Sequence, residues 1–233
     1  MPPRPAVVVF DVNETLSDMS PMVERFADLG VPGSMAGRWF TALLRDGFAL
    51  TAAGASERFA VVGEGVLRTL LAPEQLDREI DEAVQHVMSG LAALPVHPDV
   101  PDGVRALRDL GLRLVTLTNG STAAGEQLLT RAGIRDAFEQ LLSVEDAGAW
   151  KPDPAAYAHA ARRCGVDASA LLLVAVHPWD IDGARRAGLS TAWVSRSGAD
   201  YPGHFRPPTY TVRGLPELAA LLSSSPSVSP GKP

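Results

Sequence analysis

The chain has 233 residues, enough for one large domain or for a core domain that carries an insertion. Its net charge of −6 argues against a general nucleic-acid-binding or anionic-membrane surface, both of which favour basic patches. Cys164 is the single cysteine, which excludes an intrachain disulfide and a thiolate metal cluster.

The first predicted element is a short strand that ends on a carboxylate. The preceding segment, MPPRP, lacks the features of a signal peptide, and no uncharged apolar stretch reaches the ~20 residues of a membrane helix, so we expect a cytoplasmic protein that does not contact membranes. Residues 6–10, AVVVF, form the continuous apolar run of a strand buried on both faces. Asp11 follows at once. A charge at the tip of a buried strand is costly unless something there uses it.

The next part of the chain predicts helices only. Segments 35–54 and 73–91 carry apolar residues at helical spacing, and Pro32-Gly33 and Pro73 mark turns between helices. No strand candidate of comparable strength lies there. We therefore predict a helical cap domain over residues 19–91, inserted into a core formed by residues 1–18 and 92–222.

After Pro95 helices and strands alternate. Helices are predicted over 100–111, 121–133, 153–165 and 180–188, and strands over 112–120, 141–144, 170–176 and 191–195. This alternation is typical of parallel strands joined by right-handed crossovers, which predicts an α/β fold with a doubly wound parallel sheet. Residues 223–233, SSSPSVSPGKP, carry too few apolar side chains to form a core and are predicted to be a disordered tail.

Polar residues follow the predicted strands at the edge where doubly wound sheets bind ligands. In chain order they are Asp11, Asn13, Thr118, Asn119, Lys151, His177 and Asp180. Two carboxylates, a lysine and hydroxyl or amide groups would share one pocket, a combination suited to nucleophilic catalysis by a carboxylate. Asp11 would be the attacking group, and Lys151 would offset part of the cost of keeping it charged.

Four segments in this order resemble the motifs of the haloacid dehalogenase-like hydrolase superfamily. They are FDVNETL, LTNGS, KPDPAAY and, in part, VAVHPWDIDGA. The resemblance covers nearly the whole chain and implies a Rossmann-like core with an inserted helical cap.

The residues at two motif positions favour carbon–halogen over phosphoryl chemistry. Phosphatases of the superfamily carry an acid where Asn13 stands, which protonates the leaving alkoxide, and an acidic Mg²⁺ ligand where Val176 stands. A halide leaves without a proton, and attack on carbon needs no Mg²⁺ to neutralise a polyanionic phosphoryl group. The chain is thus most similar to the type II (S)-2-haloacid dehalogenases, which implies that Asp11 displaces halide from a small 2-haloalkanoate without a metal or other cofactor.

The same resemblance implies roles for the other residues. Water would hydrolyse the ester on Asp11 to an (R)-2-hydroxy acid, with Asp180 orienting or deprotonating that water. Lys151 would keep Asp11 ionised, and Thr15 would hydrogen-bond one of its oxygens. The predicted substrate-binding residues are Asn13, Arg38, Thr118, Asn119, Tyr157, His177 and Trp179.

Several alternatives stay open at this level. The family's cap arginine follows a tryptophan, whereas Phe40 follows Trp39 here, so Arg38 or Arg45 would have to bind halide. His177 is equally suited to a structural hydrogen bond, and Asp180 to capping the helix that follows. The rival functions are a Mg²⁺-dependent phosphatase and a non-catalytic binder of small acids. We expect a homodimer from the family resemblance and the exposed helices of a cap.

Overall fold

The computed structural model describes residues 4–224, and the described strands form one parallel sheet. They are β1 Val7–Phe10, β2 Arg113–Thr118, β3 Gln140–Ser143, β4 Leu171–Ala175, β5 Ser190–Val194 and β6 Tyr210–Val212, in the spatial order β3-β2-β1-β4-β5-β6. Helices cover both faces of this sheet. They are α5 Val100–Asp109, α6 Thr122–Arg131, α7 Pro154–Cys164, α8 Pro178–Arg186 and α9 Leu215–Ser223. The predicted doubly wound α/β fold is confirmed.

Strand β1 lies at the centre of the sheet because its side chains are apolar on both faces. All four of its residues are completely buried, and Val9 pairs with Val115 of β2 on one side and Leu173 of β4 on the other. The strand order reverses beside β1, so a crevice opens at the carboxyl ends of β1 and β4. Asp11 is the first residue beyond β1 and therefore lies in that crevice.

Four further helices lie between β1 and α5 in the chain. They are α1 Met22–Ala27, α2 Met35–Ala52, α3 Phe59–Leu71 and α4 Ile80–Ala92. Their apolar faces pack on one another around Trp39, which is fully buried and donates its indole N–H to the carbonyl of Gly63 at 3.0 Å. These helices correspond to the predicted cap; its exact boundaries, 19 and 91, stay a prediction.

Two features join the helical insertion to the sheet domain. The two connecting segments pair in antiparallel fashion through Ser17 and Val96. In the second, the Trp150 indole N–H donates to the carbonyl of Glu57 at 2.9 Å, and its ring lies over Gly47, where a Cβ would come within 2.3 Å of the ring carbons. Since Trp150 precedes Lys151, this contact places α2 and α3 directly beside the crevice.

The structure differs from the sequence prediction at three places. Residues 73–79 form a turn before α4; Leu76 is the one residue of this segment that packs on the core, too little for an amphipathic helix. Strand β6 and helix α9 were not predicted; β6 is a three-residue edge strand that forms by pairing with β5. Helix α9 continues through Ser223, the first residue of the predicted tail, and the rest of that tail after Ser224 lies outside the described residues. Between residues 4 and 224 no helix is long and apolar enough to cross a bilayer.

Candidate active site

The Asp11 carboxylate lies in the crevice and is hydrogen-bonded on both oxygens. Its backbone N–H continues the sheet pairing by donating to the carbonyl of Val174 at 3.0 Å, which sets the direction of the side chain. Lys151 Nζ is 2.9 Å from Oδ1, the Thr15 hydroxyl donates to Oδ2 at 2.6 Å, and His177 Nδ1 is 3.1 Å from Oδ2. The carboxylate is buried, so these groups replace the water that would otherwise solvate it.

Lys151 and Asp180 form the second half of this polar cluster. Both side chains are completely buried, and Lys151 Nζ is 2.6 Å from Asp180 Oδ2. The Tyr157 hydroxyl donates to Asp180 Oδ1 at 2.7 Å. Asn119 fixes the backbone of Lys151, since its side chain accepts from the Lys151 N–H at 2.9 Å and donates to the Lys151 carbonyl at 3.3 Å. One ammonium group therefore lies between two carboxylates.

The two carboxyl groups differ in their protonation. Burial opposes the charge on Asp11, but the Lys151 ammonium and the hydrogen bonds from His177 and Thr15 outweigh it, and the pKa of Asp11 lies well below its ordinary value. Burial, helped by the nearby negative charge of Asp11, raises the pKa of Asp180 although Lys151 opposes the shift. Asp11 is thus the carboxyl group that stays ionised most firmly, as a nucleophile requires.

Glu14 and His177 form a pair that extends the cluster toward solvent. His177 Nε2 is 2.8 Å from Glu14 Oε2, while the other ring nitrogen contacts Asp11. Glu14 has a φ of 60°, the only positive φ of a non-glycine residue in the described part of the chain, and this left-handed conformation costs roughly 1–2 kcal/mol. Burial disfavours the imidazolium ion, but the hydrogen bonds and charges of Asp11 and Glu14 prevail and raise the pKa of His177 to about 9.

This pairing predicts a pH-dependent stability. Because the pKa of His177 rises from 6.5 to about 9 on folding, the stabilisation is complete below about pH 6.5 and is lost as the pH rises through 9. We expect the free energy of unfolding, measured by urea denaturation, to fall by on the order of 3 kcal/mol between those pH values. The variant His177→Asn should show a much smaller decline, and an equal decline in the two proteins would contradict the assignment.

Aromatic side chains from the cap and from α8 enclose the site. Trp179 stacks on the His177 ring with 4.9 Å between centroids, and Phe40 of α2 stacks on it at 6.4 Å. Phe48 of α2 meets Trp179 edge-on at 4.9 Å. These rings cover the His177 side of the Asp11 carboxylate, and Phe59 of α3 packs on Phe40 with 6.4 Å between centroids.

A cavity of about 340 Å³ adjoins this cluster between the cap and α6. Asn13 and Thr118 line it where it approaches Asp11, together with Gly120 and Ser121 at the beginning of α6. The N–H groups in the first turn of a helix lack intrahelical acceptors and attract anions. This end of the cavity is therefore suited to a carboxylate group.

The structure brings together most of the predicted site residues but assigns three of them differently. The Asn119 side chain is used by the Lys151 backbone, and the Tyr157 hydroxyl points to Asp180 rather than into the cavity. Arg38 is exposed on α2 and lies about 200° around the helix from Phe40, so it faces away from the cluster. Arg45 is likewise exposed and pairs with Asp46.

The sequence gives no sign that Glu14 and Phe59 belong to the site. Glu14 lies in the FDVNETL segment, but the left-handed backbone that turns it toward His177 cannot be read from the sequence. The helical spacing of Phe40 suits packing within the cap and closing the pocket equally, and no sequence pattern points to Phe59. Among residues 4–224 no group of three or more histidine, cysteine or acidic side chains is placed to hold a metal ion.

Comparison with known proteins agrees with this geometry. A family model described as haloacid dehalogenase-like hydrolase matches residues 5–188. An (S)-2-haloacid dehalogenase of Pseudomonas putida is 30% identical over 220 residues, which cover 94% of this chain and 96% of that protein. The chain belongs to the haloacid dehalogenase-like hydrolase family. The predicted superfamily and its (S)-2-haloacid dehalogenase branch are thereby confirmed.

Two further comparisons indicate the class of hydrolase. An (S)-2-haloacid dehalogenase of Pseudomonas sp. strain YL is 36% identical, over 127 residues that make up 54% of this chain and about half, 55%, of that protein. A crystal structure of an L-2-haloacid dehalogenase superposes with a TM-score of 0.87 at 29% identity and covers 96% of this chain and 100% of its own. The predicted enzyme class, a hydrolase of the 2-haloacid dehalogenase type, is confirmed.

Proposed function

We propose that this enzyme hydrolyses (S)-2-haloacids to (R)-2-hydroxy acids through an ester on Asp11, without a metal ion. One observation carries the proposal: a buried, ionised carboxylate is held by Lys151, Thr15 and His177, while Asn13 occupies the position from which an acid would protonate a leaving alkoxide. The substrate class also follows from the relatives, whose names specify (S)-2-haloacids. A homodimer and a cytoplasmic location stay predictions.

The first half-reaction is a displacement at C2 of the substrate. An Asp11 oxygen attacks C2 from the side opposite the halogen, the new C–O bond forms as the carbon–halogen bond breaks, and the halide leaves with the bonding pair. Since the substrate carboxylate binds at the Thr118 end of the cavity, C2 is presented to Asp11. Backside attack inverts the configuration at C2.

The second half-reaction requires a base, and His177 is placed better for this than Asp180. Both Asp180 oxygens are hydrogen-bonded, one to Lys151 and one to Tyr157. His177 borders Asp11 directly and has Glu14 behind it, as a catalytic imidazole has an orienting carboxylate. Asp180 then positions Lys151 instead of deprotonating water, which revises the role that the resemblance implied.

The charge on Asp11 controls when His177 can act. In the free enzyme the carboxylate helps to hold the imidazolium proton; once Asp11 is esterified that negative charge is gone and the proton can leave past Glu14, whose side chain is 40% exposed. Neutral His177 then takes a proton from the water that attacks Asp11 Cγ. The proton returns to the 2-hydroxyl oxygen as the Cγ–O bond breaks, and Asp11 ionises again.

The decisive test for a metal-free reaction is an assay in the presence of a chelator. Purified enzyme with (S)-2-bromopropanoate should release bromide at an unchanged rate in 5 mM EDTA, about the same as with added Mg²⁺, because no step uses a divalent cation. Ion chromatography measures bromide, and chiral chromatography should find the (R)-2-hydroxy acid. Turnover of phosphate esters that EDTA abolishes, without bromide release, would instead support a phosphatase.

A further inference from the structure

We propose that the preferred substrates of this enzyme carry an extended apolar group at C2, about the size of a hexyl chain, which occupies the cavity between α6 and the cap. This inference rests on the proposed function and adds the substrate class within it. Small 2-halopropanoates would then be minor substrates that fill only the end of the cavity nearest Asp11.

One end of the cavity is lined by Val12 and Asn13, the two residues that follow Asp11 in the chain, and most of its remaining lining is apolar. From Asn13 and Thr118 it runs along α6, where Leu128 lines it, and under the cap, where Phe59 and Met88 line it. A substrate whose carboxylate lies at the beginning of α6 therefore has an apolar channel beside its C2 atom.

The volume exceeds what a short substrate needs. A water molecule occupies about 30 Å³ of the liquid, so 340 Å³ holds roughly eleven water-sized groups. A methyl group at C2 would leave most of this space to water, whereas each additional buried methylene strengthens binding by roughly fourfold.

The charged residues that line the cavity do not indicate a substrate with a second anionic group at the far end. The Arg131 guanidinium already donates to the carbonyls of Ala92 and Leu94, at 2.8 and 3.1 Å. Arg58 is exposed beside Glu57, and the one acidic residue of the lining, Glu145, adds a negative charge.

Gly125 in α6 offers a direct way to close the channel. It lines the cavity and is buried, yet a Cβ built on it meets no atom within 4 Å, so its missing side chain faces open space inside the cavity. Glycine inside a helix costs about 1 kcal/mol relative to alanine, so a larger residue here should not weaken the helix.

The test compares two substrates in three variants. For the wild type we expect kcat/KM for (S)-2-bromooctanoate to exceed that for (S)-2-bromopropanoate by at least about tenfold. Gly125→Leu should lower this ratio by at least about 30-fold, and Gly125→Ala by less. Gly65→Leu makes the same substitution at an exposed helical glycine of α3 that does not line this cavity, and it should leave both values unchanged.

Each outcome decides a separate point. Bromide release from the short substrate with little or none from the long one overturns the substrate class but leaves the dehalogenase proposal intact. If the ratio of kcat/KM for the long substrate to that for the short one is unchanged in Gly125→Ala and Gly125→Leu, the assignment of the cavity is overturned. Should the leucine variant be inactive, the result for the alanine variant is used. If neither substrate releases bromide, the proposed function is rejected, and this inference is rejected with it.

Discussion

Replacement of Asp11 by asparagine is expected to lower the rate of halide release by at least about 10⁴-fold. Asparagine can still accept a hydrogen bond from Thr15, but it has no anionic oxygen with which to displace a halide. Lys151 keeps one counter-ion, Asp180, at 2.6 Å, so the folded state should survive with a loss of about 3 kcal/mol at most. Bromide release and thermal unfolding measure the two effects.

A matched variant and an isotope label make this prediction specific. Asp182→Asn changes an acid two residues beyond Asp180 that pairs with Arg186 and accepts from the Arg206 N–H, without contacting the Asp11 cluster, and it should retain nearly full activity. In a single turnover of the wild type in ¹⁸O-water, the label should enter the Asp11 carboxyl group, because water attacks Cγ. Label found only in the hydroxy acid would show that water attacks the substrate directly.

The second large effect is expected for His177→Asn, which should make the ester on Asp11 accumulate. Displacement of halide needs only the anionic carboxylate, which Lys151 and Thr15 still hold, whereas hydrolysis loses its base. General-base catalysis contributes about 10²–10⁴-fold, so steady-state turnover should fall by that factor while a rapid burst of about one halide per enzyme remains. Mass spectrometry should find the peptide that contains Asp11 heavier by the 1-carboxyalkyl group that the substrate leaves on the Asp11 oxygen.

Two comparison variants separate a catalytic base from a structural histidine. Glu14→Gln keeps a hydrogen-bonding group beside His177 but removes its charge, so it should also accumulate the ester, with a smaller loss of turnover. Asp180→Asn should slow the burst itself, since Asp180 acts through Lys151. If Asp180→Asn accumulates the ester and His177→Asn does not, the base is Asp180 as the family resemblance first implied.

The fold and most of the polar cluster were predictable because they depend on local patterns. Continuous apolar runs mark buried strands, and their alternation with helices leaves few topologies open. Within such a topology all parallel strands end at one edge. Asp11, Lys151 and Asp180, far apart in the chain, could therefore be expected in one crevice before any coordinates were known.

The tertiary structure alone decided which way the remaining side chains point. Glu14 reaches His177 only because its backbone is left-handed, and the Asn119 side chain is hydrogen-bonded to the Lys151 backbone. Whether a helical residue faces a site depends on how the helix is rotated against its neighbours, which turned Phe40 toward His177 and Arg38 toward solvent. Such directions, like the cavity along Gly125, arise from packing between segments distant in sequence, and no local pattern encodes them.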